Sequence, residues 1–145
     1  MGARTSGRLS GLQMLFSVEV SGNDAESTIR NYWREFDGDP EGRFYADEIL
    51  RGVTSSLAEV DETIRRASTN WRLERMTRVD RNLLRLATWE LLFCKELPRA
   101  VILDEAVELA KRFGTEESSS FVNGVLDRVA ENCGRVDADR SGSQS

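Results

Sequence analysis

The chain has 145 residues, 39% hydrophobic and 31% charged, with a formal net charge of −5. That is enough for one globular domain that needs no disulfide or metal to hold its core together. No apolar run reaches the length of a membrane span, and the first residues lack the pattern of a secretory signal, so a cytoplasmic protein is expected. A net negative field opposes general binding of polyanions. Residues 1–18, however, hold Arg4 and Arg8 and no acid, so the charge is polarised and any nucleic-acid site must be local.

Apolar residues recur at spacings of three and four, with only Pro40 and Pro98 to interrupt them, which predicts an all-α fold. The first helix is expected from about Ser6 to Val20, apolar around most of its circumference except a narrow strip of Ser10, Gln13 and Ser17. Such a helix packs on more than one side and is the candidate for the element between two bundles. Ser21-Gly22-Asn23-Asp24 reads as a stop and a cap. A second helix then turns Ile29, Tyr32, Trp33 and Phe36 inward. After the turn-rich Asp37–Gly42 segment, Phe44, Ile49, Leu50, Val53 and Leu57 mark a third helix. Val60, Ile64 and Ala67 extend it or form a short fourth.

Thr77 is the expected N-cap of a long helix from Arg78 to about Lys95, with its stripe on Val79, Leu83, Leu84, Leu86, Ala87, Leu91 and Cys94. Glu90 falls within that stripe and requires a buried partner. Past Pro98, Asp104 to Phe113 reads as a short helix burying Ala106, Leu109, Ala110 and Phe113, closed by Gly114. Its Glu108 and Arg112 form an i,i+4 pair. A last helix from about Glu117 to Cys133 carries Val122, Val125, Leu126 and Val129 inward, and Gly124 in its interior implies close approach of another backbone or a ligand. The expectation is six to seven helices in two packed small bundles sharing a core, at about 6–69 and 70–133. Together they form one domain over 1–135, followed by a disordered tail over 136–145.

The chain contains no histidine, which removes the commonest general base, the commonest metal ligand and every Ser-His or Cys-His nucleophile pair. No phosphate-cradling glycine motif or nucleophile elbow occurs. The acid pairs Asp104-Glu105 and Glu116-Glu117 point about 100° apart on a helix and read as solvated residues. Cys94 and Cys133 lie within helical patterns and read as reduced thiols. No enzyme, cofactor or metal is expected.

Four ordered blocks carry a resemblance: Leu12–Phe16; Val79-Asp80-Arg81-Asn82-Leu83-Leu84-Arg85-Leu86-Ala87-Thr88-Trp89-Glu90-Leu91; Asp104–Gly114; and Phe121-Val122-Asn123-Gly124-Val125-Leu126-Asp127. Together the chain resembles the NusB transcription antitermination factor family over about residues 8–130. The resemblance implies a helical fold of two bundles and a non-enzymatic factor that pairs with ribosomal protein NusE. The pair would bind the boxA element of nascent RNA and assemble an antitermination complex on RNA polymerase, notably for ribosomal RNA. It leaves monomer and homodimer open; a dimer would hide the RNA surface. The alternative is a helical protein-interaction adapter that has lost RNA contact.

By resemblance, an arginine-rich arm and the start of the first helix contact RNA, and the matching positions hold Arg4, Thr5, Arg8 and Gln13. Where the family carries consecutive arginines, this chain interposes Thr5, Ser6 and Gly7, which predicts a weaker and less salt-sensitive contact. Phe16 matches an aromatic near the RNA, and its place beside Leu9 and Leu12 fits core packing equally. Glu117 and Phe121 match positions at the RNA surface, where Glu117 either accepts from a base amino group or caps the last helix. Asp80 matches an acid at the NusE contact, a position also favoured by the helix dipole.

Overall fold

The computed structural model describes residues 2–135 and is helical throughout apart from its turns, with no strand among the described residues. Among the described residues seven α-helices follow one another: α1 (Ala3–Ser21), α2 (Ala25–Glu35), α3 (Pro40–Ser55), α4 (Leu57–Ala67), α5 (Arg78–Phe93), α6 (Arg99–Phe113) and α7 (Ser118–Asn132), with a 3-10 turn at Leu73–Arg75. The expected tail over 136–145 lies outside the described residues. None of the described helices is long and apolar enough to cross a membrane.

The start signals act as capping chemistry requires. Asp24 accepts from the Ser27 N–H at 2.8 Å, Asp39 from the Gly42 N–H at 2.7 Å and Thr77 from the Asp80 N–H at 3.1 Å, each satisfying a donor with no partner inside its helix. The Ser27 N–H also holds the Asp24 carboxyl below its ordinary range. Thr77→Ala is expected to cost about 1 kcal/mol, read as a shift in thermal unfolding. Pro98 sits directly before α6, which starts at Arg99 instead of Asp104. The earlier start explains two core residues, Ile102 and Leu103, that the sequence pattern omits.

The chain divides into two compact units, one up to Ser56 and one from Leu57 on. The division falls earlier than the break near Asn70; of the two readings of Val60, Ile64 and Ala67, the short fourth helix holds, and α4 packs on α5 and α7. In the first unit α1 lies along α3 and more lightly on α2, around a core of Met14, Leu12, Leu15, Ala46, Ile49, Leu50 and Val53. The approach of α1 to α3 depends on glycines. A Cβ at Gly7 would lie 3.0 Å from both Gly42 O and Tyr45 Cβ, and one at Gly11 would lie 3.1 Å from Ile49. Ser6 Oγ fits beside Gly42 only because Gly42 has no side chain, a Cβ there falling 2.7 Å away.

In the second unit α5 is central, with α4, α6 and α7 against it. From Asn82 to Leu91 every residue except Arg85 is buried. That includes Glu90, which is fully enclosed as its place in the stripe predicts. The arginines of this unit tie its elements together. Arg85 meets Asp61 of α4 through Nε–Oδ1 at 2.8 Å and Nη2–Oδ2 at 3.0 Å. Arg81 donates to the carbonyls of Leu73 and Met76, fixing the 3-10 turn. Arg135 donates to Leu91 O and Leu97 O, closing the end of α7 onto α5 and the α5–α6 turn. Cys94 is buried, Cys133 half-buried, and the two form no disulfide among the described residues.

Several expected core positions are instead at the surface. Phe44 is 71% exposed, and its neighbour Tyr45 takes the buried place on α3, against Gly7. Phe36, Leu57 and Phe113 are likewise exposed. Gly114 ends α6 with φ −96°, so a left-handed backbone does not explain it. Space does, since a Cβ there would come within 2.5 Å of the Ser118 side chain. Gly124 faces open space, with no atom within 4 Å of the place a Cβ would take, so no neighbouring helix accounts for it. Glu108 pairs with Lys111 at 3.6 Å, while Arg112 lies over the Phe113 ring.

Candidate nucleic-acid interface

Each unit presents its own share of the residues singled out above. On the first, α1 begins at Ala3, so Arg4 and Arg8 stand one helical turn apart on the same helix instead of on an extended arm. Both guanidinium groups lie near the Tyr45 ring, at 5.6 and 5.7 Å from its centroid. They differ in access: Arg4 is exposed and Arg8 is only 3% exposed. A phosphate can approach Arg4 directly, whereas Arg8 is enclosed by the α1–α3 packing around Tyr45.

Gln13 is exposed further along the same helix, and its Oε1 accepts from the Tyr32 hydroxyl of α2. Phe16 is 38% exposed, beside the exposed Gln13 and Ser17. It is therefore neither a core residue nor a bare one, and part of it is accessible next to the polar strip. Between α1 and α2 a groove of about 340 Å³ is lined by Gln13, Ser17, Asn31, Tyr32, Glu35 and Phe36 among others. The Tyr32 and Phe36 rings lie 4.7 Å apart at its wall. Phe36, expected in the core, becomes part of this surface.

On the second unit, Glu117 occupies the N-cap position of α7, but its side chain makes no capping bond and is exposed. Ser118 holds the turn instead, its Oγ accepting from the Thr115 N–H at 2.9 Å. Phe121 is half-buried at the rim of α7, as its place off the apolar stripe predicts. Its ring meets Trp71 edge to face, with centroids 5.8 Å apart. The periodic pattern misses Trp71, although the run Asn70-Trp71-Arg72-Leu73 places two large apolar residues two apart in a turn, only one of which can face inward. Asp80 is buried in the first turn of α5, and its Oδ1 lacks a hydrogen-bond partner.

Electrostatics near Trp71 are mixed. Arg65 pairs with Glu74 at 3.2 Å on the surface. A hydrogen bond from its own backbone N–H, together with Arg65, holds the Glu74 carboxyl below its ordinary range. Arg128 of α7 donates to Ala67 O at 3.1 Å, joining α7 to the end of α4 beneath this surface.

Comparison with known proteins gives the arrangement its context. The NusB family model matches residues 5–131. The transcription antitermination protein NusB of Sorangium cellulosum is 68% identical over 140 residues, which is 97% of this chain and 100% of that protein. The structure of T. maritima NusB superposes with a TM-score of 0.80 at 41% identity, covering 88% of this chain and 90% of that one. A chain of the crystal structure of antitermination factors NusB and NusE in complex with dsRNA superposes with a TM-score of 0.83, covering 91% of this chain and 98% of that one. At 24% identity this last likeness concerns the fold. A match across nearly the whole globular chain, with high identity to a full-length relative, leaves one conclusion: the chain belongs to the NusB family.

Proposed function

We propose that the protein is a transcription antitermination factor that pairs with ribosomal protein NusE, binds boxA-type RNA and helps assemble an antitermination complex on RNA polymerase in the cytoplasm, notably for ribosomal RNA transcription. The observation that carries this reading is the 68% identity to a NusB antitermination protein along its full length. The role is one of binding and involves no catalysis. Arg4, Gln13 and Phe16 on one unit, with Glu117 and Phe121 on the other, are the proposed RNA-facing residues, with the enclosed Arg8 supporting the first group from within, and Asp80 the proposed NusE contact.

The surfaces support a division of labour among these residues. Arg4 supplies the accessible cation, Gln13 and Phe16 supply a polar group beside a partly exposed aromatic, and single-stranded RNA is read by such pairings of hydrogen bonds and stacking. Arg8 supports the site from within, through Tyr45.

Anisotropy titration of labelled boxA-type RNA, with and without NusE, tests the reading. Binding that is tightened by NusE is expected. Absence of binding in both conditions overturns it and favours the adapter. Arg4→Ala should lower the salt slope of binding by about one unit, as removal of one phosphate contact does. Arg8→Ala should act mainly on thermal stability, because its side chain is enclosed.

A further inference from the structure

An exposed tryptophan on a rigid support calls for an explanation that folding does not supply. Trp71 is 61% exposed, yet the turn that carries it is firmly held. Ser68 is buried and its Oγ is within hydrogen-bond distance of Ile64 O at 3.0 Å and Trp71 O at 3.2 Å, while the Trp71 N–H donates to Ser68 O at 3.1 Å. Two residues on, Leu73 is anchored in the core, and Arg81 fixes its carbonyl. The backbone around Trp71 is thus satisfied and ordered while the indole projects outward.

The surroundings of the indole select among occupants. Phe121 meets it edge to face, which braces the ring, while most of the Trp71 side chain stays accessible. The adjoining recess, about 390 Å³, is lined by Arg65, Ser68, Thr69, Asn70, Arg72, Leu73 and Glu74 besides Trp71 itself. Apart from Trp71 and Leu73 this wall is made of guanidinium, hydroxyl, amide and carboxylate groups, which an apolar protein side chain would leave without partners. A nucleotide matches this set: the base stacks on an aromatic face, the amide, hydroxyls and Glu74 carboxylate meet base or ribose edges, and Arg72 meets phosphate.

We propose that Trp71, braced by Phe121, is a stacking platform for one unpaired base of the bound RNA, with Arg72 beside it to meet a flanking phosphate, while Arg65 is engaged by Glu74. This rests on the reading of the protein as an RNA-binding factor, and assigns to the turn between α4 and α5 a contact that the N-terminal arginines cannot make. Stacking of a base on an aromatic residue accounts for a roughly five- to hundredfold change in affinity.

The test uses the full chain with NusE and single-stranded boxA-type RNA, comparing wild type with Trp71→Ala and Trp71→Phe. Trp71→Ala should weaken RNA binding at least about fivefold, while Trp71→Phe keeps most of the affinity. RNA should also quench wild-type tryptophan fluorescence, and Trp71→Phe should abolish most of that quench. Wild-type binding with no loss in Trp71→Ala overturns the platform and leaves the RNA-binding reading standing. Equal losses in both variants exclude stacking. Loss of NusE binding by Trp71→Ala in the absence of RNA would assign the surface to a protein partner. Failure of the wild type to bind RNA at all would overturn the underlying reading, and the platform with it.

Discussion

Replacing Arg85 with methionine is expected to destabilise the unit that begins at Leu57 by about 3–5 kcal/mol, the cost of leaving a buried carboxylate without its cation. The geometry behind this value is a two-pronged contact, Nε–Oδ1 at 2.8 Å and Nη2–Oδ2 at 3.0 Å, between side chains only 16% and 11% exposed. Removing the guanidinium leaves the Asp61 carboxylate enclosed and without this partner. The pair also costs desolvation energy, and removing both charges together removes that cost. Asp61→Leu with Arg85→Met should therefore recover most of the loss. Urea unfolding followed by far-UV circular dichroism reads the effect. A double variant as unstable as Arg85→Met alone would show that lost packing, and not the stranded charge, is the cause.

The second large effect concerns α1. Gly7→Leu and Gly11→Leu should each cost about 3 kcal/mol or more, because the added side chain meets the α3 backbone at Gly42 or the Ile49 side chain and forces the helices apart. Alanine provides a graded comparison. Its better helix propensity offsets part of the clash at Gly7 and Gly11, whereas at Gly124, where space is open, Gly124→Ala should raise stability by up to about 1 kcal/mol. Thermal unfolding of the three alanine variants should thus move in opposite directions according to the room at each site. If Gly124→Ala stabilises the protein yet weakens RNA or NusE binding, the glycine serves a partner's close approach and not the fold.

These glycines also change the meaning of the N-terminal stretch. Read as an arm, Thr5-Ser6-Gly7 dilutes a run of arginines. In the folded chain the same residues belong to α1, with Gly7 and Ser6 fitted against Gly42 and Tyr45 of α3. Positions that would carry extra charge are given to helix packing, and Arg8 is drawn into that packing as well. The accessible cation left at this end is Arg4.

The number and order of helices followed from the sequence because their causes are local. A cap such as Thr77, a break such as Pro98 and a three-four apolar spacing act within a few residues. The four blocks carried the family on the same basis. What the sequence could not decide is how each helix is rotated about its axis. One residue corresponds to about 100°, so Phe44 and Tyr45 exchange places between solvent and core according to what α3 packs against. Likewise Arg8 is buried and Arg4 is not, Phe36 and Phe16 are exposed on the side of Gln13, and α5 is enclosed on nearly all sides though its pattern shows a single stripe. Trp71 is the sharpest case. Its side chain suits a core, and only the anchoring of Leu73 and Ser68 on either side turns it outward. Local chemistry thus determined the elements and the family, while the contacts between helices determined which aromatic and basic side chains remain available to a partner.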